Sequence, residues 1–173
     1  KMKKQTDSFW IQHPVKFMAG RRNNSVSGEC IYSSSNVRHS YRITGGENLK
    51  YCQYLHVPSA KDSYDHFRFG ANSELIYESA ISGTNISKLN FCVFCYPNCS
   101  SLSYCISCSS SSHLFACIGL RNKQYCLLNR QYTKAEYESL IPRVIEHMNS
   151  MPYIDSRGRV YRYGEFFPPD LSP

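Results

Sequence analysis

The chain has 173 residues, with 20 Lys and Arg against 13 Asp and Glu for a net charge of +7, and is 42% hydrophobic and 14% aromatic. This length suits one domain with its own core, and a charged fraction of only 19% excludes an acidic disordered tail, a collagen and a coiled coil. The longest stretch without Asp, Glu, Lys or Arg, residues 89–120, is broken by Pro97, Asn98 and many serines, so it lacks the roughly 20 apolar residues of a membrane span.

From the N-terminus, residues 1–28 hold Lys1, Lys3, Lys4, Lys16, Arg21 and Arg22 against Asp7 alone. A basic arm of this kind attracts phosphate or an acidic partner. Lys3, Lys4, Lys16, Arg21 and Arg22 are therefore candidate nucleic-acid contacts. Phe9, Trp10, Phe17 and Met18 suit a cap on one end of the structure that follows. No apolar signal core follows Lys1-Met2-Lys3-Lys4. The nine cysteines are an odd number, which fits a reducing, cytoplasmic compartment better than a disulfide framework.

Residues 29–129 repeat. Aromatics recur at Tyr51, Tyr64, Tyr77, Phe91 and Tyr104, at steps of 13, 13, 14 and 13, with a weaker copy at Phe115. Turn-forming groups separate the copies: Thr44-Gly45-Gly46, Pro58-Ser59-Ala60, Gly70-Ala71-Asn72, Ser82-Gly83-Thr84-Asn85 and Pro97-Asn98. One such repeat is too short for a helical hairpin and suits one short strand and a turn. The Tyr, Phe, Val, Ile and Cys between the breakers fit strands. The predicted fold is mainly β: a short parallel β-solenoid with stacked aromatic and cysteine columns. A coil made of a single repeat is too narrow to enclose stacked tyrosine rings. The expected coil therefore holds two repeats, about 26 residues, with roughly four coils in all.

Residues 130–150 predict a helix that closes the solenoid. Thr133 and Glu136 have capping-box spacing, and Tyr137, Leu140, Ile141, Val144, Ile145 and Met148 make an apolar stripe. Pro142 should kink or restart it. Residues 151–173 read as an aromatic-rich extension, hairpin-like around Asp155-Ser156-Arg157-Gly158, with Tyr161, Tyr163, Phe166 and Phe167 free to pack on a neighbour. Arg157, Arg159 and Arg162 lie among these aromatics, a mixture that stacks bases and neutralises phosphates. They form the second candidate nucleic-acid set.

Two Cys-Xaa-Xaa-Cys pairs, Cys92/Cys95 and Cys105/Cys108, have the spacing of a four-thiolate zinc site. The repeat places Cys92 over Cys105 and Cys95 over Cys108, so core thiols are the rival expectation. His39, His56, His66 and His113 lie on the repeats. Beside Asp65 or a cysteine, a histidine makes an acid–base pair or an activated nucleophile. Asp65 and His66, adjacent in a strand, point to opposite faces.

Several strings resemble the signature of a family of Tyr/Cys-repeat proteins from uncultured candidate-phyla bacteria. They are Ser25-Val26-Ser27-Gly28-Glu29, the run Leu120-Arg121-Asn122-Lys123-Gln124-Tyr125-Cys126 with its continuation to Lys134, and Tyr163-Gly164-Glu165-Phe166-Phe167-Pro168-Pro169. The resemblance spans nearly the whole chain. It implies a solenoid part of a longer protein, because longer members carry zinc-ribbon segments, and it implies no established activity. Some members bear a CoA-transferase label, but this chain has no βαβ pattern or Gly-rich nucleotide loop. Asp65 and Glu78 stand where such repeats carry cysteine. The function expected from all this is a non-enzymatic binding or scaffolding module presenting a rigid repeat surface to a protein or nucleic-acid partner. A zinc-dependent, nucleic-acid-associated module and an enzyme with a Cys/His or Asp/His site are the alternatives.

Overall fold

A computed structural model describes residues 2–13, 16, 18–56 and 59–165. Phe17, Pro58, Phe166 and Phe167 lie outside the described residues. Helix α1 (Met2–Gln12) comes first. The strands are β1 (Gly20–Arg21), β2 (Asn24–Tyr32), β3 (Ser35–Thr44), β4 (Gly46–Lys50), β5 (Gln53–Leu55), β6 (Ala60–Phe67), β7 (Ser73–Ala80), β8 (Ile86–Asn90), β9 (Cys99–Ser103), β10 (Ser112–Phe115), β11 (Gln124–Leu127) and β12 (Arg130–Gln131). Helix α2 (Lys134–Ser150) and a hairpin of β13 (Tyr153–Ile154) and β14 (Val160–Tyr161) end the described chain.

From β1 to β11 every pairing is parallel. The chain is a mainly β solenoid of about nine turns, followed by the C-terminal helix. Its ladder begins at Gly20, ahead of residue 29. The register sets the coil length: Val37 pairs Leu49, Glu47 pairs Lys61, Ser73 pairs Ile86 and Ile86 pairs Cys99. One coil is therefore one repeat. The expected two-repeat coil does not form, because the tyrosine rings are outside. Tyr51, Tyr64 and Tyr77 are exposed, and the interior is filled by smaller groups.

Burial follows a period of three rather than two. Ile86, Leu89, Cys92, Cys95, Cys99, Leu102, Cys105, Cys108, Ser111, Leu114 and Cys117 are all buried. Each coil thus puts four side chains inside and leaves pairs of residues between them outside, on four walls. The second member of most outer pairs has positive φ, as at Leu75, Glu78, Ile81, Lys88, Phe91, Phe94, Ser101, Tyr104 and Ser107. Left-handed residues turn the chain at the corners. For L side chains this costs about 1–2 kcal/mol each. The corner amides offset it by continuing the ladder: Phe91 N–H donates to Tyr77 O at 3.1 Å, Tyr104 N–H to Asn90 O at 3.0 Å and Ile81 N–H to Phe67 O at 2.8 Å.

The inner columns show what so narrow a coil accepts. One column runs Val37, Leu49, Ser63, Ile76, Leu89, Leu102, Leu114 and Cys126, and carries most of the volume. The next runs Ser40, Cys52, His66, Ser79, Cys92, Cys105 and Cys117. Most inner serines serve two bonds each. Ser79 Oγ donates to Tyr77 O at 3.0 Å and accepts from Cys92 N–H at 3.1 Å, and Ser82 does the same for Ala80 O and Cys95 N–H. Inner thiols lie 3.3–3.6 Å from carbonyls two residues back or one coil on. Small polar groups thus fill the axis without leaving buried donors unpaired.

Thr133 and Glu136 form the predicted capping box, and α2 continues through Pro142 as one helix. Its apolar stripe packs sideways on the outer walls of the last coils. There Tyr137, Leu140, Ile141, Val144, Ile145 and Met148 cluster with Phe115, Leu127, Tyr125 and Tyr163.

Replacing Leu89 by Ala should lower unfolding stability by about 2–5 kcal/mol. Cys105→Leu, which overfills the same interior, should cost about 1–3 kcal/mol. The outward change Lys88→Ala should stay within about 0.5 kcal/mol. Urea unfolding measures all three, and equal effects at positions 88 and 89 would contradict the inside–outside assignment.

Candidate functional site

The described residues of the turn groups anticipated in the sequence fall on one wall of the solenoid, called here the fourth. The first wall lies between inner positions such as Ile86 and Leu89, the second between Leu89 and Cys92, and the third, between the His66 column and the fourth, carries a different surface. By register its first outer line runs Tyr41, Gln53, Phe67, Ala80, Val93, Ile106 and Ile118. Tyr41, Phe67, Ile106 and Ile118 are exposed. Beside this line, in the corner positions, stand Arg42, Tyr54 and Arg68, all at positive φ.

The N-terminal half of this wall is an aromatic and arginine patch. Tyr54 meets Tyr41 at 5.8 Å and Phe67 at 5.7 Å between ring centroids, both edge to face, and His56 at 6.0 Å. The Arg42 guanidinium lies 5.1 Å from the Tyr54 ring centre, and that of Arg68 lies 5.9 Å from Phe69. Each is a cation–π contact of the kind in which arginine keeps its hydrogen-bond donors free. The coil departs from its triplet rule here. His66 and Gly70, both buried, are four residues apart instead of three, so Phe69 is an extra outward residue with φ 80°. Such a bulge re-aims side chains. In the next coil, Gly83 has no side chain to block Phe69: a Cβ there would sit 2.8 Å from the Phe69 Cβ. Phe69 therefore reaches Tyr96 across that coil, at 6.0 Å. Tyr54, His56, Phe67, Arg68 and Phe69 line an open groove of about 570 Å³.

The residues singled out from sequence are placed elsewhere. Arg21 and Arg22 are exposed on the first coil, and Lys3 and Lys16 are exposed ahead of it. The side chain of Lys4 is outside the described residues. Arg157, Arg159 and Arg162 belong to the hairpin region beside the last coils, so the two basic sets sit at opposite ends, roughly 40 Å apart at about 4.8 Å per coil. Arg159 is committed within the hairpin. Its Nε donates to Asp155 at 2.7 Å, and the backbone amides of Arg157 and Arg159 and the Tyr161 hydroxyl donate to the same carboxylate. Burial disfavours the charged form of Asp155, but these bonds prevail and hold its pKa down at about 2. Tyr104, Phe115, Val144, Met148, Tyr161 and Arg162 help line a mainly apolar hollow of about 400 Å³ between α2, the hairpin and the coils.

Cys92, Cys95, Cys105 and Cys108 do come together, inside the solenoid and sealed from solvent. The neighbouring Cys108 and Cys92 sulfurs, together with burial, hold the pKa of Cys95 and Cys105 far above the ordinary thiol range. A zinc site needs four thiolates about 2.3 Å from the ion. Among the described residues no group of three or more His, Cys, Asp and Glu is arranged to hold a metal ion. His66 and Asp65 point to opposite sides as expected: Asp65 is exposed, while His66 is buried with Nε2 2.9 Å from Ser82 O. Its Nδ1 has no partner among the described residues, and burial lowers its pKa to about 4. Neither the thiols nor the Asp65–His66 pair is placed for catalysis on an exposed substrate.

No family model matches the chain, and no curated protein and no solved structure matches it. The third-wall patch escaped the sequence reading. The recurrence that marks it is an aromatic–arginine dipeptide, Tyr41-Arg42 and Phe67-Arg68, two coils apart with Gln53-Tyr54 between.

Two measurements check this placement. Of the nine thiols only Cys30 is not fully buried, so one thiol should react rapidly with an aromatic disulfide reagent in the folded, reduced protein, and all nine only on unfolding. For His66, the unfolded chain takes up a proton near pH 6.5 that the folded chain refuses until about pH 4. Stability from this group is therefore full above pH 6.5 and falls by about 3 kcal/mol as pH drops to 4. His66→Gln should remove that part of the acid loss. An unchanged stability difference between pH 7 and pH 4 would show that the imidazole is not held neutral.

Proposed function

We propose that the protein is a non-enzymatic binding or scaffolding module that presents its third wall to a macromolecular partner. The observation that carries this reading is the exposed line of Tyr41, Phe67, Ile106 and Ile118, flanked by Tyr54, Phe69 and Phe94. The solenoid interior is complete without these side chains. A contiguous exposed apolar surface marks an interaction site more often than scattered single exposures do. The backbone beneath supports the reading as well: every coil is hydrogen-bonded to its neighbours at walls and corners, so the face keeps a fixed pitch of about 4.8 Å and loses little freedom on binding.

Ile106→Ser should change unfolding stability by less than about 0.5 kcal/mol and Phe67→Ser, which also loses the Tyr54 ring contact, by about 0.5–1.5 kcal/mol, since neither side chain reaches the interior. A photo-activatable phenylalanine analogue at position 67 or 106 should form discrete covalent adducts with a macromolecule in cells expressing the chain. The same analogue at Ser87, on the first wall, should not. Absence of adducts from the third wall, or equal adducts from position 87, would sink the reading.

A further inference from the structure

We infer that the partner of the N-terminal half of the third wall is single-stranded nucleic acid. Unpaired bases stack on Tyr41, Phe67 and Phe69 while Arg42 and Arg68 neutralise the flanking phosphates. This rests on the third wall being the binding face and names what it binds.

Charge, ring geometry and room each support it. Arg42 and Arg68 form no ion pair with a carboxylate among the described residues. The only carboxylate among the described outward residues of this wall is Glu29, at its first coil, where it accepts from Ala19 N–H at 2.7 Å. Elsewhere acids and bases offset one another, as Lys61 and Glu47 do on the first wall at 3.0 Å. The guanidinium groups instead lie against Tyr54 and Phe69, leaving donors free for phosphate. Tyr41 and Phe67 lie in one line two coils apart, about 9.6 Å at about 4.8 Å per coil, with the Tyr54 ring edge-on between them. Stacked bases in a helical strand lie only about 3.4 Å apart, so bases that meet successive rings here are separated from one another, as an unpaired strand allows. Aromatic platforms interleaved with cations are the general solution for single strands, because every base has a stacking face. A duplex hides those faces, and an acidic peptide would use the arginines but leave the rings idle. The groove of about 570 Å³ beside Phe69 is open and roomy enough for a base. The bulge that adds Phe69 sits within the patch, where a local break in the repeat rule most plainly serves something other than folding.

The test uses the full chain and a fluorescent 12-nucleotide single strand, alone or annealed to its complement. The single strand should bind at least tenfold more tightly than the duplex. With two phosphates neutralised, log Kd should rise with log salt concentration at a slope of about 1.4. Arg42→Gln with Arg68→Gln should flatten that slope. Phe67→Ala, or the more exposed Phe69→Ala should the first variant unfold, should weaken binding at least fivefold. Arg21→Gln with Arg22→Gln should change it less than twofold. The inference is overturned if single strand and duplex bind alike, if neither binds, if both ring variants bind normally, or if the Arg21 and Arg22 pair carries the salt dependence. In those cases protease-sensitive adducts from position 67 would leave the third wall a protein-binding face. Absence of any adduct would remove both readings.

Discussion

The width of the coil governs this structure. A turn made of one repeat encloses so little space that four inward side chains can include only one or two of the size of leucine. The coil of Cys99, Leu102, Cys105 and Cys108 has one, and that of Ile86, Leu89, Cys92 and Cys95 has two. Remaining positions must be Ser, Cys, Ala or Gly. When His66 is the large group, its companions shrink to Ala60, Ser63 and Gly70. Close packing makes this compensation necessary, since neither a void nor an extra methylene is cheap in a core. The abundance of cysteine and serine is thus a steric consequence, and their weak or strong hydrogen bonds to backbone carbonyls make them better fillers than alanine alone.

The same narrowness moves all chemistry outward. Nothing the size of a substrate fits inside, and the His66 imidazole, buried there, is kept neutral by its surroundings. Aromatic rings, guanidinium groups and the apolar line of the third wall are consequently surface features. Their spacing is dictated by the backbone rather than by contacts among themselves. The corners make this possible. By turning at left-handed residues whose amides still donate to the adjacent coil, the chain keeps its ladder closed while changing direction every three residues.

Much of this was legible in the sequence. The short regular recurrence, the turn groups on one wall and the Thr133–Glu136 helix start reflect strong local chemistry, and all three hold. The aromatic recurrence misled about coil size because it mixes two neighbouring outer lines. Lys50 pairs Tyr64, and Tyr77 pairs Asn90, so Tyr64 and Tyr77 share one line while Phe91 and Tyr104 occupy the corner line beside it. Reading small residues at every third or fourth position, Cys92, Cys95, Cys99, Cys105 and Cys108, would have given the narrow coil directly. It would also have explained the Cys-Xaa-Xaa-Cys pairs as a spacing of the fold. Arg42 and Arg68 carry no such local mark. Only a correct register brings residues 41, 54, 67 and 69 onto one surface, and the register was what the mixed aromatic alignment obscured.

The steps along the fourth wall differ from those elsewhere. From Ile43 to Gly46 and from Cys108 to Ser111 the inner positions are three residues apart, from Ser82 to Ile86 and from Cys95 to Cys99 four, and from Leu55 to Ala60 five. Most of the slack in the chain is therefore taken up along one edge: the third wall gains one residue at Phe69 and the second loses one between Val26 and Gly28, but from Val37 onward the first and second walls count in threes. The molecule behaves as a ruler: its graduations are kept true on one side because errors of length are discharged on the other. Insertions or losses of a residue can accumulate at that edge without shifting any outward side chain of the other walls relative to those above and below it.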